Sequence, residues 1–583
     1  MSGGAVRNLG IAKLFNEIAD LLEIKDENVF KIRAYRRAAM NLESLTEEIE
    51  AVAGRRGLTE IAGIGKDLAA KIEQALETGG IEYLDELRKE IPRGVVELME
   101  IPGVGPKTAK LLFETLHVDS VERLEALAQE GKLLGLPGIK QKTIDNILKG
   151  IQVVKRGRER MLLGRALPLA REIVQALEKL PQVRKISMAG SLRRMRETVR
   201  DFDLLITSAK PAKVMEAFFA LPQVAEVLAH GETKATVRHR EGVQMDLRVV
   251  EPECFGAALQ YFTGSKEHNI RVRELASRKR LKVSEYGVFK EATGKRLAGA
   301  TEEEVYKAIG LPYIPPELRE DAGEIEAALE GRLPNLLELD DLRGDLHAHT
   351  NWSDGHHELE ALVEAAHRKG YEYIIVSDHS RSSTVAGGLS EEKLLEQIGK
   401  IRALNKKYRN LRILAGSECD ILADGRMDFP DRVLAQLDIV LCAVHSRFKQ
   451  SRPEMTARIV KALSNPYVNI LAHPTGRLIG ERDPYDVDLE AVFAAAKQHG
   501  KAVEINAQPS RLDLNDHHAR RAKELGVMIS IDTDTHFLDQ LENMTLGVAT
   551  ARRAWIGKSD VINTMPLDRL LTWAHKVRPR PRK

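Results

Sequence analysis

Apolar and polar positions change period several times along this 583-residue chain. Residues 10–150 carry apolar residues at helical spacing in short runs parted by glycine-rich turns, which predicts a set of short helices. From 160 to 250 helical and strand-like runs alternate, and residues 255–315 are mixed and basic. Leu311-Pro312-Tyr313-Ile314-Pro315-Pro316 marks a boundary, because proline ends helices and stiffens linkers. The acidic stretch 317–340 is expected to be part helix and part tether. Residues 341–536 hold seven apolar, β-rich runs, most of them separated by helical stretches. That is the pattern of a βα barrel, whose functional groups gather at the C-terminal ends of its strands. No apolar run approaches the roughly 20 residues of a membrane helix. The length exceeds what one core sustains, so two to four domains are expected.

Within the helical part, Ile61-Ala62-Gly63-Ile64-Gly65 recurs about forty residues later as Ile101-Pro102-Gly103-Val104-Gly105, and imperfectly as Leu136-Pro137-Gly138-Ile139-Lys140. Each copy lies between helical patterns, the shape of a helix-hairpin-helix. Gly63, Gly65, Gly103 and Gly105 allow a tight turn, so that N–H groups at the second helix's start can face a DNA phosphate. Such contacts are blind to base sequence.

The net charge of +2 is uninformative, but Lys155-Arg156-Gly157-Arg158, Arg193-Arg194-Met195-Arg196 and Arg278-Lys279-Arg280 are local basic clusters suited to phosphate. Cys254, Cys419 and Cys442 form no CxxC pair, which excludes a thiolate zinc site or disulfide framework and fits a reducing cytoplasm. Residues 1–10 lack the apolar core of a secretion signal. Of 17 histidines, 13 follow residue 340, so the chemistry changes there.

Gly190-Ser191-Leu192-Arg193-Arg194 precedes Asp201-Phe202-Asp203, which runs into the strand Leu204-Leu205-Ile206. Side chains alternate along a strand, so Asp201 and Asp203 share a face, and Asp246 in the strand 243–250 offers a third carboxylate. Three carboxylates suit two Mg²⁺ or Mn²⁺ ions, one activating a 3′-hydroxyl and the other clamping a triphosphate. Ser191 and Arg194 are placed to hold the triphosphate's charge. A lone DxD would be an ordinary strand edge; the upstream GSxRR sets this one apart.

These motifs resemble the nucleotidyltransferases, and more narrowly DNA polymerase beta and its family X relatives, over residues 10–315. Tyr261-Phe262-Thr263-Gly264-Ser265 is similar to that family's YFTGS turn. The resemblance implies that Gly190, Tyr261, Phe262 and Gly264 line the nucleotide site, with Tyr261 disfavouring ribonucleotides. Asn269 and Arg273 would then touch the incoming base's minor-groove edge and the templating strand. Residues 30–39 are similar to the family's lyase domain, which implies Lys71 as a Schiff-base nucleophile with Lys31 and Tyr35 in support at the DNA. Asp67 stands where the family has a companion lysine, with Lys66 one residue early, so lyase activity stays open.

Six of the seven late runs end in candidate metal ligands: His347 and His349, Asp378 and His379, Glu418, His445, His473, then Asp534 and His536. The seventh ends at Asn506. Imidazole and carboxylate without thiol suit Zn²⁺, Mn²⁺ or Fe²⁺. Asp345-Leu346-His347-Ala348-His349-Thr350, Ser377-Asp378-His379 and Ala472-His473-Pro474 resemble the PHP (polymerase and histidinol phosphatase) family. That implies a distorted (β/α)7 barrel with three metals: one on His347, His349, Glu418 and Asp534, one on Asp354, His379 and His473, one on Glu418, His445 and His536.

The expected architecture is multidomain, α and α/β. Lyase-like and fingers domains with helix-hairpin-helix motifs occupy 1–85 and 86–155. A nucleotidyltransferase palm (156–255), thumb (256–316) and linker (317–340) follow, then the PHP barrel (341–575) and an unstructured basic tail (576–583). The expected protein is a cytoplasmic monomer that fills gaps in DNA from deoxynucleoside triphosphates and trims 3′ ends. Abasic-site incision and 3′-phosphate removal are chemically close to that trimming. A nucleotidyltransferase fused to a phosphatase of a small metabolite is the alternative, and a non-catalytic DNA-end scaffold a further one.

Overall fold

A computed structural model of the full chain describes residues 8–576 and Arg578, apart from 26, 45–48, 56, 62, 100, 102, 103 and 159. Gly103 and most of the expected tail therefore lie outside the described residues. Arg578 lies against the barrel, donating from Nη1 to Leu437 O at 2.6 Å.

The N-terminal helices bury their apolar stripes in one cluster running from Ile11 to Ile151, so the expected domains 1–85 and 86–155 share a core. In all three hairpin copies the turn closes the same way: the N–H groups of Ile64, Val104 and Ile139 donate to the carbonyls of Ile61, Ile101 and Leu136.

The palm is a five-stranded sheet of order β1-β2-β5-β4-β3, with β1 Lys185–Met188, β2 Asp201–Thr207, β3 Val224–His230, β4 Lys234–His239 and β5 Gln244–Val250. Phe202, Leu204 and Ile206 of β2, with Met245, Leu247 and Val249 of β5, pack with helices Leu163–Glu178 and Pro211–Phe219. Alternation therefore sends Asp201, Asp203 and Asp246 to the opposite face. The thumb adds a small antiparallel sheet of β6 (Leu281–Ser284), β7 (Gly287–Lys290) and β8 (Arg296–Ala298), covered by helices Phe255–Thr263, Lys266–Arg278 and Glu302–Ala308.

The stretch 317–340 is not a tether. Arg319 and Glu324 are fully buried, Leu318, Ile325 and Ala328 join the thumb core, and Leu337 N–H donates to Ile556 O in the last domain. Arg319 lies over the rings of Tyr306 and Tyr313 and donates to Glu302 at 2.6 Å. Glu302 also takes both Arg193 nitrogens. An acidic sequence reads as solvated until its partners, distant in the chain, are known.

Seven parallel strands form the last domain in chain order: β9 (Gly344–Asp345), β10 (Tyr373–Val376), β11 (Arg412–Asp420), β12 (Ile439–Ala443), β13 (Ile470–Leu471), β14 (Ala502–Asn506) and β15 (Met528–Asp532). His349 N–H donating to Thr535 O at 2.8 Å joins the first strand's extension to the last, so the ring nearly closes. Ile374 and Val376 face the surrounding helices, whereas Tyr373 and Ile375 fill the barrel with Leu414, Leu441 and Ile470. Helix Leu567–His575 plugs the end where strands begin, with Leu570 and Ala574 inside and Ala574 O accepting from Asn469. The mouth is left at the opposite end, where the candidate ligands lie.

Because Glu302 is neutralised by Arg193 and a wholly buried Arg319, Arg319→Ala is expected to cost about 3–5 kcal/mol. Thermal unfolding of the full chain should show a clear drop in midpoint, with a smaller drop for Arg319→Met, which refills the space between the tyrosines.

Two candidate active sites

On the palm, β2 pairs in parallel with β5 so that Asp203 is the direct partner of Asp246, and Asp201 lies two residues along on the same face. Burial, then the carboxylates of Asp201 and Asp246, pushes Asp203 up to about 7. Asp201 is raised too, by burial first and Asp246 second. Three carboxylates this close fit divalent cations, which would remove the repulsion that now favours protonation. Gly190, at φ +61°, sits directly over them: a Cβ there would fall 2.2 Å from Asp203 Oδ2. Glycine is required on both counts.

A cavity of about 570 Å³ opens beside the carboxylates. It gathers Gly190, Ser191, Arg194, Asp201, Asp203, Tyr261, Phe262, Gly264, Asn269 and Arg273, together with Thr263 and Lys266. Lys266 did not stand out in the sequence, where a lysine opening a helix looks like an ordinary solvated residue. Arg194 Nη1 donates to Thr263 O at 2.5 Å and Nε to Glu320 Oε1 at 3.0 Å, which tethers the guanidinium at the cavity edge. Asn269 is held at both ends of its amide, accepting from Gln260 and donating to Tyr261 O, each at 2.7 Å, which leaves the second amide hydrogen for a base. Arg193 points away into the buried Glu302 pair.

In the N-terminal part, Gly65 and Gly105 stand just before helices Lys66–Thr78 and Pro106–Leu116 without a side-chain cap, and a Cβ on either would meet nothing within 4 Å. The first-turn N–H groups thus lack a side-chain cap, as a phosphate site needs. Lys31 and Lys71 flank the ring of Tyr83, 4.9 and 5.6 Å from its centroid. Lys71 Nζ is paired with Asp67 at 2.6 Å, and Lys31 Nζ donates to Tyr83 OH at 2.8 Å. Tyr35 is corrected: it is buried edge-on against Phe15 and cannot touch DNA.

At the barrel mouth the ligand candidates converge. Glu418 lies at the centre, with His473 Nε2 at 2.7 Å, His379 Nδ1 at 2.9 Å, His445 Nε2 at 3.1 Å, and His347 and His349 Nε2 at 3.5 and 3.6 Å. Three groups have ligand atoms mutually within 4.8 Å: His347, His349 and Asp534; His349, Asp354, His379 and His536; His379, Glu418 and His445. The division differs from the expected one. His536 sits with Asp354 at 3.4 Å rather than with His445, and His473 with Glu418 rather than with Asp354. Strand ends separated by the barrel's curvature cannot be grouped from chain order alone.

Burial would raise Glu418, but the imidazoles of His445, His379 and His347 outweigh it and hold its carboxyl well below the usual range. Burial, then the neighbouring His379, pushes His349 down to about 4. His347 Nε2, both nitrogens of His349 and His379 Nδ1 are buried with no hydrogen-bond partner. They lie near carboxylates without the alignment a hydrogen bond requires. Unpartnered imidazole nitrogens converging on carboxylate oxygens are what bound metal ions would satisfy. His473 and Asp534 adopt left-handed backbone, φ +26° and +50°, strain typical of a functional site.

Outer partners fix the rings. Glu504 Oε1 is 2.7 Å from His347 Nδ1 and its Oε2 accepts the His473 N–H, Asp420 holds His445 Nδ1 at 2.6 Å, and Asn506 donates to Asp534 at 3.0 Å. Glu504 and Asp420 were missed; the available signals were a lone charge inside the apolar run 502–505 and a second carboxylate two residues after Glu418. The cavity over this cluster has about 580 Å³ and adds Arg511 and the hydroxyls of Ser382, Ser383 and Thr384.

Fold and sites together define a nucleotidyltransferase of the polymerase beta type joined to a PHP-type metal-dependent phosphoesterase. The DNA polymerase beta thumb matches residues 258–320, the PHP domain 345–508, and helix-hairpin-helix families 6–81 and 95–152. The chain is 40% identical, over 96% of its length and 97% of the relative's, to the DNA polymerase/3′-5′ exonuclease PolX of Bacillus subtilis. Probable phosphatases of Caldanaerobacter subterraneus and of a Thermoanaerobacter species are each 30% identical, over 36% and 38% of the chain and 80% and 89% of their own lengths. The chain belongs to the bacterial family X DNA polymerases that carry a C-terminal PHP domain.

Gly190→Ala is expected to cut nucleotide insertion at least about a hundredfold, because the methyl displaces Asp203 by more than an ångström. Nuclease activity measured on the same preparation should stay unchanged.

Proposed function

We propose that the chain fills short gaps in DNA from deoxynucleoside triphosphates at the palm and hydrolyses DNA from its 3′ end at the barrel mouth. The observation that carries this is the presence of two separate clusters of metal-ligand type on one chain, carboxylates in the palm and histidines with carboxylates at the barrel mouth, beside a full-length relative whose name holds both activities. In the palm, Asp201, Asp203 and Asp246 would hold two Mg²⁺ or Mn²⁺ ions. At the barrel mouth, His347, His349, Asp354, His379, Glu418, His445, His473, Asp534 and His536 would hold three ions of Zn²⁺, Mn²⁺ or Fe²⁺. Bound divalent ions supply Lewis acidity and, at the barrel, a hydroxide near neutral pH.

The remaining work falls to the protein. Ser191 and Arg194 receive the triphosphate, and Tyr261 and Phe262 floor the nucleotide cavity. Gly65 and Gly105 let helix N-termini hold the DNA backbone without selecting sequence. At the barrel, Glu504 and Asp420 orient His347 and His445, and Arg511 offers a cation to the scissile phosphate. The likeness to probable phosphatases favours a second reading of the barrel, phosphomonoester hydrolysis, including removal of a 3′-phosphate.

A labelled primer across a short gap tests the main reading. With Mn²⁺ or Mg²⁺, Asp203→Ala should lose extension by at least about a thousandfold and keep degradation, and His349→Ala the reverse. Extension without any shortening by the unaltered chain would sink the exonuclease and leave the phosphatase reading. For the lyase, Lys71 must leave its ion pair with Asp67 before it can attack a sugar. Borohydride trapping on an incised abasic site should therefore give a weak adduct that rises several-fold in Asp67→Ala and vanishes in Lys71→Ala.

A further inference from the structure

The joint between palm and barrel holds charges that neither centre uses. Arg553 ends helix Met544–Arg553 of the PHP domain and is buried. Its Nη1 leaves that domain to donate to the Arg194 carbonyl at 2.8 Å and to Glu320 Oε1 at 2.9 Å; Nη2 stays behind on Asp516 at 2.6 Å. The same Glu320 oxygen accepts from Arg194 Nε at 3.0 Å. Two guanidiniums from different domains thus share one carboxylate, and one of them borders the nucleotide cavity. The residue after Arg194, Met195, holds left-handed backbone at φ +52°, so the bond to the Arg194 carbonyl braces a strained turn. Cohesion alone does not call for this, since Leu512 and Leu546 of the barrel already pack into the palm core.

We propose that Arg553 is a positioning residue of the polymerase site: the PHP domain holds Arg194, through Glu320 and through its own carbonyl, in the orientation that receives the incoming nucleotide's triphosphate. The inference rests on the reading of Arg194 as a triphosphate contact. Two effects act together. The brace fixes Nε of Arg194 through Glu320, beside the Thr263 carbonyl that holds Nη1, which leaves Nη2 for the ligand. Sharing also divides the Glu320 charge among Arg194, Arg553 and Arg196, whose Nη1 lies 3.7 Å from the other oxygen; without Arg553 more of that negative charge falls on Arg194.

Single-nucleotide insertion into a gapped duplex by the full chain tests this, with kcat and KM for the deoxynucleoside triphosphate measured separately and degradation of a single strand measured alongside. Arg553→Met should raise KM about tenfold, the scale of one charge-assisted hydrogen bond, with kcat within threefold and degradation within twofold. Arg553→Lys should recover part of the loss. In an Arg194→Ala background, Arg553→Met should add less than twofold, because its effect passes through Arg194. An unchanged KM, additive effects, or kcat and degradation falling in parallel with KM would each overturn the proposal, the last by showing general loosening. If Arg194→Ala itself leaves KM unchanged, the reading of the nucleotide site fails first and the inference with it.

Discussion

A charge taken out of water needs a counter-charge or ligand within a few ångströms, and this requirement organises the molecule. Where the chain supplies the partner, the charge does structural work: Glu302 lies between Arg193 and Arg319, and Glu324 meets His268 at 2.6 Å with Tyr306 on the other ring nitrogen. Where the chain withholds it, function sits. The palm sets three carboxylates on one sheet face with no arginine paired directly to Asp201 or Asp203 among the described residues. The barrel mouth leaves four buried imidazole nitrogens without hydrogen bonds. Both centres are thus under-neutralised, and both invite divalent cations.

Much of this was legible because it is local. The period-2 alternation of β2 put Asp201 and Asp203 on one face, and the turn of Gly190-Ser191 could only serve a site directly above them. The seven β-rich runs became seven parallel strands, since an apolar run ending in a ligand is the signature of a strand whose C-terminal end opens on a mouth. What failed was non-local. Stretch 317–340 reads as acidic linker because its partners, Arg194, Arg552 and Arg553, are far away in the chain. Tyr35 is expected at the DNA from the resemblance of residues 30–39 to the lyase domain, but Phe15 on the preceding helix claims its ring. Glu504 was passed over because the strand's terminal polar residue, Asn506, drew attention from the carboxylate two residues earlier on the same face.

The ligand grouping shows the same limit at finer scale. Chain order says which residues reach the mouth, because each strand delivers its end there. It cannot say which ends are neighbours across the opening, since that depends on strand tilt and on the left-handed turns at His473 and Asp534. Asp354 is the clearest case: it comes from a loop rather than a strand end, yet it meets His379 and His536, both at 3.4 Å, and so bridges the first, second and last strands' ligands.

The segment from Ala507 to Asp516 belongs to both halves. Arg511 faces the barrel cavity with Nε 3.7 Å from Asp534, Leu512 packs into the palm core, Pro509 fills the space a side chain at Gly164 would occupy, and Asp516 anchors Arg553. The ligands, however, do not mix: every palm carboxylate comes from the palm sheet, and every barrel ligand from residues 347–536. Chemistry is therefore separable while packing is not. Removing a ligand disables one centre and leaves the other's charges where they were; disturbing the shared segment moves groups on both sides at once. The fusion is thus more than a tether between two enzymes, because Arg553 of the barrel bonds the Arg194 carbonyl and shares Glu320 with the Arg194 side chain.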